Sequence, residues 1–271
     1  MAQSNYWSER SKPYEPGQVK PFKVSRSKIE LFMQCPRCFW LDVRLKIKRP
    51  DGPPFNINKA IDELFKKEFD AHRAAGTKHP LQEKFNIEAK PYAHKDIDKW
   101  RHNFTGVFTV HGPTNLHIFG AVDDVWVNDN DELIVVDYKA TAKAEPVKAL
   151  GAEGTWHDSY RRQMEIYQWL LRQNGFKVSD TGYFVYATGD MNAAEFNDVV
   201  QFNTHVFPHN GSDEWIEPVI KKMKACMDSE VMPDVGVAAM GGECDYCNYA
   251  KRRTELTLDH INKTKYGRQK T

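Results

Sequence analysis

The order of apolar and polar residues divides the chain into helices, a group of strands, and further helices. Two amphipathic helical segments come first, one beginning at Ser27 and one ending at Gly76. A helix over about residues 158–174 and an amphipathic helix before residue 230 follow later. Between these helices, apolar runs and alternating patterns predict the strands FTGVFTVHG, LHIFGAVDDVWV, ELIVVDYKAT, TGYFVYAT and VVQFNTHVF. This arrangement predicts one α/β domain with a mixed sheet.

Composition and charge exclude several classes of protein. Lys and Arg total 38 and Asp and Glu total 37, so the formal net charge is +1, which excludes a polycation and an acidic disordered chain. A hydrophobic content of 41% in 271 residues supports a sizeable core. The sequence shows no membrane-spanning apolar run and no signal-peptide pattern, so we expect a cytoplasmic protein without a membrane partner.

Changes in polarity predict the domain boundaries. We expect a polar arm over residues 1–22, a single domain over 23–255, and a disordered basic tail over 256–271. Lys46, Lys48, Arg49 and the basic run 251–253 are candidates for phosphate contact, as is the tail.

Four of the five cysteines form two Cys-x-x-Cys pairs, Cys35 with Cys38 and Cys244 with Cys247. In a reducing compartment such pairs bind metal more often than they form disulfides. Two pairs supply the four thiolates of one centre, either Zn²⁺ or an iron–sulfur cluster, which would join the N- and C-terminal segments. The alternative is four buried thiols that pack as small hydrophobic groups. Cys226 stands alone on a predicted helix, where a core position is favoured.

An acid and a base share one face of the strand ELIVVDYKAT, because Asp137 and Lys139 are two residues apart. The register of the preceding hairpin decides which acid joins them. A three-residue loop at 129–131 places Asp123 opposite Asp137, whereas a two-residue loop would place Asp124 there. We prefer the first register. Two carboxylates suit Mg²⁺ or Mn²⁺, and the ammonium group can stabilise charge on a phosphoryl oxygen; the alternative is a surface ion pair.

The segments GAVDD, IVVDYKAT and RRQMEIYQWLL resemble, in this order, the three central motifs of the RecB-like PD-(D/E)XK nucleases. CPRCFWLD and CDYCNYAKRR are similar to the cysteine segments of the iron–sulfur branch, which includes the CRISPR adaptation nuclease and AddAB-type nuclease domains. The resemblance implies a restriction-endonuclease-like core, a mixed sheet flanked by helices. It implies Asp123 and Asp137 as metal ligands, Lys139 as the catalytic lysine, Gln163 and Tyr167 as residues that orient the site or substrate, and a [4Fe–4S] cluster.

Two features depart from this family pattern. The family carries Gly-x-x-x-His on its first core helix, with the histidine as a metal ligand, whereas this chain has Asn58 and Asp62 at those positions. Asp62 is either a metal ligand that Mg²⁺ accepts or one half of an ordinary helix ion pair with Lys66. The family cluster takes one early and three late cysteines, whereas this chain has two and two, which also suits zinc.

Together these patterns predict a metal-dependent DNA nuclease that hydrolyses phosphodiester bonds, with exonuclease action expected, in DNA repair, recombination or processing. Expected partners are single-stranded DNA or duplex ends, and a helicase or nucleic-acid-processing complex. Two alternatives remain open at this stage. One is a catalytically silent DNA-binding or adaptor module that keeps the nuclease fold, and the other is a structural zinc-binding protein that acts through protein contacts.

Overall fold

The structure is a computed structural model that describes residues 12–52, 55–238 and 241–267. The chain divides into two compact units. The larger unit consists of Pro21–Arg26 and Gly52–Pro218. The smaller unit takes its described residues from Met1–Lys20, Ser27–Asp51 and Val219–Thr271. Residues 1–11 of the predicted polar arm lie outside the described ranges, and the expectation of a single domain over 23–255 stays a prediction.

The strands of the larger unit form two sheets. They are β1 (Phe22–Ser25), β2 (Ala89–Pro91), β3 (Val107–His111), β4 (Leu116–Gly120), β5 (Asp124–Asn128), β6 (Leu133–Lys143), β7 (Thr181–Asp190) and β8 (Phe202–Asn210). One sheet has the order β1-β4-β3 and the other the order β2-β5-β6-β7-β8. In the five-stranded sheet β6 and β7 are parallel and the other neighbours antiparallel, which confirms the predicted mixed sheet.

The described ranges also contain eight α-helices. They are α1 (Arg26–Gln34), α2 (Pro36–Leu45), α3 (Asn56–Ala75), α4 (Pro80–Lys84), α5 (Ile97–Arg101), α6 (Asp158–Gln173), α7 (Ile216–Asp228) and α8 (Asp245–Gly267). Helix α3 ends as predicted, since Gly76 adopts a left-handed conformation (φ 69°) that a glycine accepts without strain. Nowhere in these ranges does a helix have the length and apolarity needed to span a membrane.

Helices α3 and α6 pack against the five-stranded sheet on opposite faces. On the α3 face, Phe69 stacks on Trp126 with ring centroids 5.3 Å apart, and Tyr138 lies in the same buried cluster. On the α6 face, Gly182 lets Met164 pack directly against β7, because a Cβ there would lie 2.1 Å from its sulfur. Each fully buried large apolar side chain contributes about 1.5–3 kcal/mol. Because successive side chains of a strand point to opposite faces of the sheet, β6 contributes side chains to both faces.

The β5–β6 hairpin has the predicted register. Asp124 pairs with Val136 across the two strands, which leaves the three residues 129–131 in the loop. Extending the same register by one residue places Asp123 opposite Asp137. The alternative with Asp124 beside Asp137 is therefore wrong.

The structure differs from the predicted elements in several places. The segment LHIFGAVDDVWV is two strands in different sheets, because the chain leaves β4 at Gly120 and enters β5 at Asp124. Helix α2 was not predicted; it begins at Pro36, where Cys35 caps it by accepting a hydrogen bond from the Cys38 N–H. The tail is not disordered from residue 256, since α8 continues through Gly267.

A buried ion-pair network fixes β5 beneath α3. Asp124 is fully buried and accepts hydrogen bonds from Arg73, from Arg101 at 2.9 Å and from the Tyr138 hydroxyl at 2.7 Å. Burial, followed by the Asp124 carboxylate, raises the pKa of Tyr138 well above its usual value, so this phenol stays a donor. Both arginines also pair with Asp70. Each charged group of the network therefore has oppositely charged partners, as a buried charge requires.

Replacing Asp124 with alanine removes the carboxylate but leaves two largely buried guanidinium groups. We expect Asp124→Ala to lower the free energy of unfolding by about 3–5 kcal/mol, measured by urea denaturation. Glu88→Gln is the matched control, because Glu88 is exposed and forms a surface ion pair with Lys78, the loss of which should cost less than about 1 kcal/mol. Equal effects of the two substitutions would contradict the stabilising role of the network.

Candidate active site and metal centre

Three aspartates from three segments surround Lys139 in the larger unit. Asp137 lies on β6, Asp123 on the connection from β4 to β5, and Asp62 on α3. The Tyr138 N–H donates to Asp123 Oδ2 at 3.0 Å, and the Lys139 ammonium forms an ion pair with Asp137 Oδ2. The structure therefore brings together the acids and the base predicted from the hairpin.

The site concentrates negative charge in a poorly solvated place. Burial, reinforced by repulsion from Asp137, raises the pKa of Asp123 to about 7. Burial and then the Asp123 carboxylate raise the pKa of Asp62. Burial opposes the charge on Lys139, but Asp137 and Asp123 outweigh it and raise its pKa above the usual value. Such a cluster is stabilised by a further cation.

The donor atoms fit a hard divalent cation. Asp62 Oδ1 is buried and has no hydrogen-bond partner among the residues that the structure describes. Asp137 Oδ2 is also buried and forms the ion pair with Lys139. Buried carboxylate oxygens of this kind are ligands for Mg²⁺ and Mn²⁺. Asp62, Asp123 and Asp137 do not all approach within 4.8 Å of one another, as the four cysteines do. In this arrangement one ion would bind at most two of the three directly, with water completing its shell.

Asp62 also forms the helix ion pair considered as its alternative role. Its Oδ2 lies 2.6 Å from the Lys66 Nζ one turn later, while its Oδ1 accepts no hydrogen bond from the described part of the chain. One oxygen is therefore engaged and the other is available, so the ligand role of Asp62 stays a prediction.

Helix α6 contacts Asp137 through Gln163. Gln163 is buried and donates to Asp137 Oδ1 at 2.6 Å, and its amide nitrogen lies 3.4 Å from the Tyr167 hydroxyl. Tyr167 in turn packs on Gly120, where an added Cβ would lie 2.5 Å from the tyrosine Cε1. Gly120, from the motif that contains Asp123, and Tyr167, from the motif that contains Gln163, therefore contact each other directly. This contact is a structural reason for the two motifs to occur in one chain.

Two further residues lie near the site. Asn58 lies inside α3, whose N-cap is Phe55, and donates to the Ala140 carbonyl at 3.0 Å. The ring of Tyr160 lies 4.5 Å from the Lys139 Nζ. Its position one turn before Gln163 is the signal that could have indicated it. Both line a cavity of about 110 Å³ next to Lys139.

The four predicted cysteine ligands converge in the smaller unit. The Sγ atoms of Cys38 and Cys247 are 3.5 Å apart, those of Cys35 and Cys247 3.7 Å, and those of Cys38 and Cys244 3.8 Å. All four lie within 4.8 Å of one another, as one metal centre requires.

Backbone and side-chain donors surround these sulfurs. The N–H groups of Cys38 and Gly236 point at the Cys35 Sγ and lower the pKa of this thiol to about 7, although burial opposes the shift. Gly236 is required there, because a Cβ would lie 2.0 Å from the Gln34 carbonyl oxygen. These donors thus favour the thiolate form of Cys35, the form that binds metal, whereas burial raises the pKa of Cys38 and of Cys247.

Arg49, a candidate for phosphate contact from the sequence, instead lies at the cysteine centre. Its Nη2 donates to the Cys244 Sγ at 3.3 Å, and its guanidinium lies over the Tyr246 ring at 4.6 Å. A positive group that hydrogen-bonds a sulfur offsets the charge of a thiolate centre.

Comparison with known proteins identifies a family. The sequence model of the PD-(D/E)XK nuclease superfamily matches residues 53–252. Among solved structures, the crystal structure of SSO0001 is similar, at 16% sequence identity over 80% of each chain, with a TM-score of 0.34. No curated protein sequence gives a significant match.

The contact between Gly120 and Tyr167 can be tested by adding one methyl group. We expect Gly120→Ala to lower the free energy of unfolding by about 1–3 kcal/mol, because the new Cβ overlaps the tyrosine ring. Gly112→Ala is the control, since nothing lies within 4 Å of its added Cβ. A Gly120→Ala variant as stable as Gly112→Ala would show that the close packing is not needed.

Proposed function

This chain belongs to the PD-(D/E)XK nuclease superfamily, and we propose that it is an Mg²⁺- or Mn²⁺-dependent nuclease that hydrolyses the phosphodiester bonds of DNA. The observation that carries the proposal is the meeting of Lys139 with Asp137, beside Asp123, at the edge of a cavity. The finer proposal includes RecB-like exonuclease action on single-stranded DNA or duplex ends, in repair, recombination or processing, with a helicase complex as partner. The order of the sequence motifs supports these finer assignments.

Each residue has a distinct part in the proposed reaction. Asp123 and Asp137 would hold the divalent ion, with Asp62 available beside them. A bound ion of this kind activates water for attack and offsets charge on the phosphoryl group. Gln163 donates to one oxygen of Asp137, and the other oxygen faces Lys139. Lys139 keeps its proton at neutral pH and supplies positive charge to a phosphoryl oxygen in the transition state.

A second candidate function is a catalytically silent DNA-binding module on the same fold. Its support is the ion pair between Asp62 and Lys66, at the position where the resembling family has a metal-binding histidine. The two candidates differ in one measurable property, the cleavage of DNA in the presence of Mn²⁺.

Substitution of the lysine tests the nuclease proposal. We expect Lys139→Ala to reduce Mn²⁺-dependent degradation of labelled single-stranded DNA about 10²–10³-fold, because a charge that stabilises the transition state is lost. Lys177→Ala is the matched control, since Lys177 is an exposed lysine of the same unit whose polar contacts are with the β5–β6 turn. EDTA should abolish cleavage by the parent protein. Cleavage by folded Lys139→Ala at the parental rate would remove this assignment.

We further propose that the cysteine centre holds one zinc ion. The tetrahedron around a zinc ion with Zn–S bonds of about 2.3 Å has edges of about 3.8 Å, and three of the sulfur pairs here are separated by 3.5, 3.7 and 3.8 Å. A [4Fe–4S] cluster binds each thiolate to a different iron, which keeps the four sulfurs much farther apart. The spacing supports zinc over the cluster that the resemblance implies.

Metal analysis decides between the two centres. We expect protein purified without oxygen to contain one zinc per chain in the cysteine centre and to be colourless. We expect Cys38→Ser to lose this zinc and to unfold at lower temperature, since structural zinc contributes folding free energy. Cys226→Ser should keep both properties, because Cys226 is outside the centre. Stoichiometric iron and sulfide in a brown protein would overturn the zinc proposal.

A further inference from the structure

A row of aromatic rings connects Lys139 with the solvent. The Tyr160 ring lies 4.5 Å from the Lys139 Nζ. The Trp156 ring is 5.1 Å from the Tyr160 ring at an interplanar angle of 82°, and it stacks on His157 with centroids 3.8 Å apart. Trp156 is thus two ring contacts away from the proposed catalytic lysine.

Trp156 is half exposed although its ring is the largest apolar group in this segment. Its relative exposure is 51%, and tryptophan is usually well buried in folded proteins. The contacts with His157 and Tyr160 hold the ring in place while leaving part of it open. A fixed, exposed aromatic ring favours stacking, because its side chain has little conformational entropy left to lose when a planar group binds.

Two cationic groups and one carboxylate act on His157, next to this ring. Burial first, and then the charges of Lys143 and Arg161, lower the pKa of His157. Lys143 is exposed at the end of β6, four residues after Lys139 on the same strand. Arg161 is held by Asp158 at 2.6 Å. Aromatic rings next to cationic groups are the combination by which proteins bind single-stranded nucleic acid.

We propose that Trp156 is the platform on which an unpaired base of single-stranded DNA stacks, next to the phosphate that Lys139 contacts. Lys143 lies beside the path of the strand and attracts its backbone. The proposal rests on the nuclease function above and adds a preference for unpaired DNA, since a base inside a duplex cannot present its face to a protein ring.

Binding measurements on the full chain test the platform. Fluorescence anisotropy with a labelled oligothymidine and a duplex of equal length, in EDTA, measures affinity without cleavage. We expect Trp156→Ala to weaken single-strand binding by about tenfold or more, Trp156→Phe to restore most of it, and duplex binding to change little. Phe196→Ala is the control, because Phe196 is an aromatic residue of the same unit with 64% exposure.

An oligonucleotide without bases separates stacking from other effects. On this abasic strand the parent and Trp156→Ala should bind equally, because the ring has nothing to stack on. If Trp156→Ala loses affinity equally for both oligonucleotides, or loses it for neither, the platform proposal is overturned. If the parent cleaves DNA but Trp156→Ala binds normally, the platform is wrong and the nuclease stands. If the parent does not cleave but the base-dependent loss is seen, the nuclease is wrong and the platform stands.

Discussion

The pairing register of the β5–β6 hairpin is the constraint on which the site depends. Side chains along a strand alternate between faces, so adjacent acids go to opposite sides of the sheet. Asp123 turns toward Asp137 and Lys139, while Asp124 turns into the core against Arg73, Arg101 and Tyr138. A slip of one residue in this register would turn Asp123 into the core and Asp124 toward the site.

The same alternation sets the electrostatic character of each side. On the α3 face of the sheet, the buried Asp124 is paired with Arg73 and Arg101, and this network is part of the fold. At the site, three acids face the ammonium groups of Lys139 and Lys66, and one oxygen of Asp62 has no hydrogen-bond partner among the described residues. The residual negative charge is therefore localised where an exchangeable cation can bind.

Local features of the sequence predicted much of this arrangement. Strand alternation and loop length were enough to select Asp123, and glycine placement was enough to end α3. The partners of Asp124 could not be predicted, because Arg73 and Arg101 come from helices distant in the sequence. An arginine on an amphipathic helix usually faces solvent. Arg49, which follows α2 outside any helix, was assigned to phosphate because its partner Cys244 is also distant in the sequence. Contacts between residues far apart in sequence depend on the tertiary fold, and no local pattern encodes them.

The spacing of the cysteine pairs also limits when the cysteine centre can form. Cys38 and Cys244 are separated by 206 positions, and Gly52–Pro218 of the larger unit lies between them in the sequence. During synthesis those intervening residues emerge before the late pair of thiols and can pack while that pair is still missing. Once they have packed, the loop that the centre must close is already compact, which lowers the entropy cost of joining its ends. All four thiols are therefore available together only in chains that have been translated past Cys247.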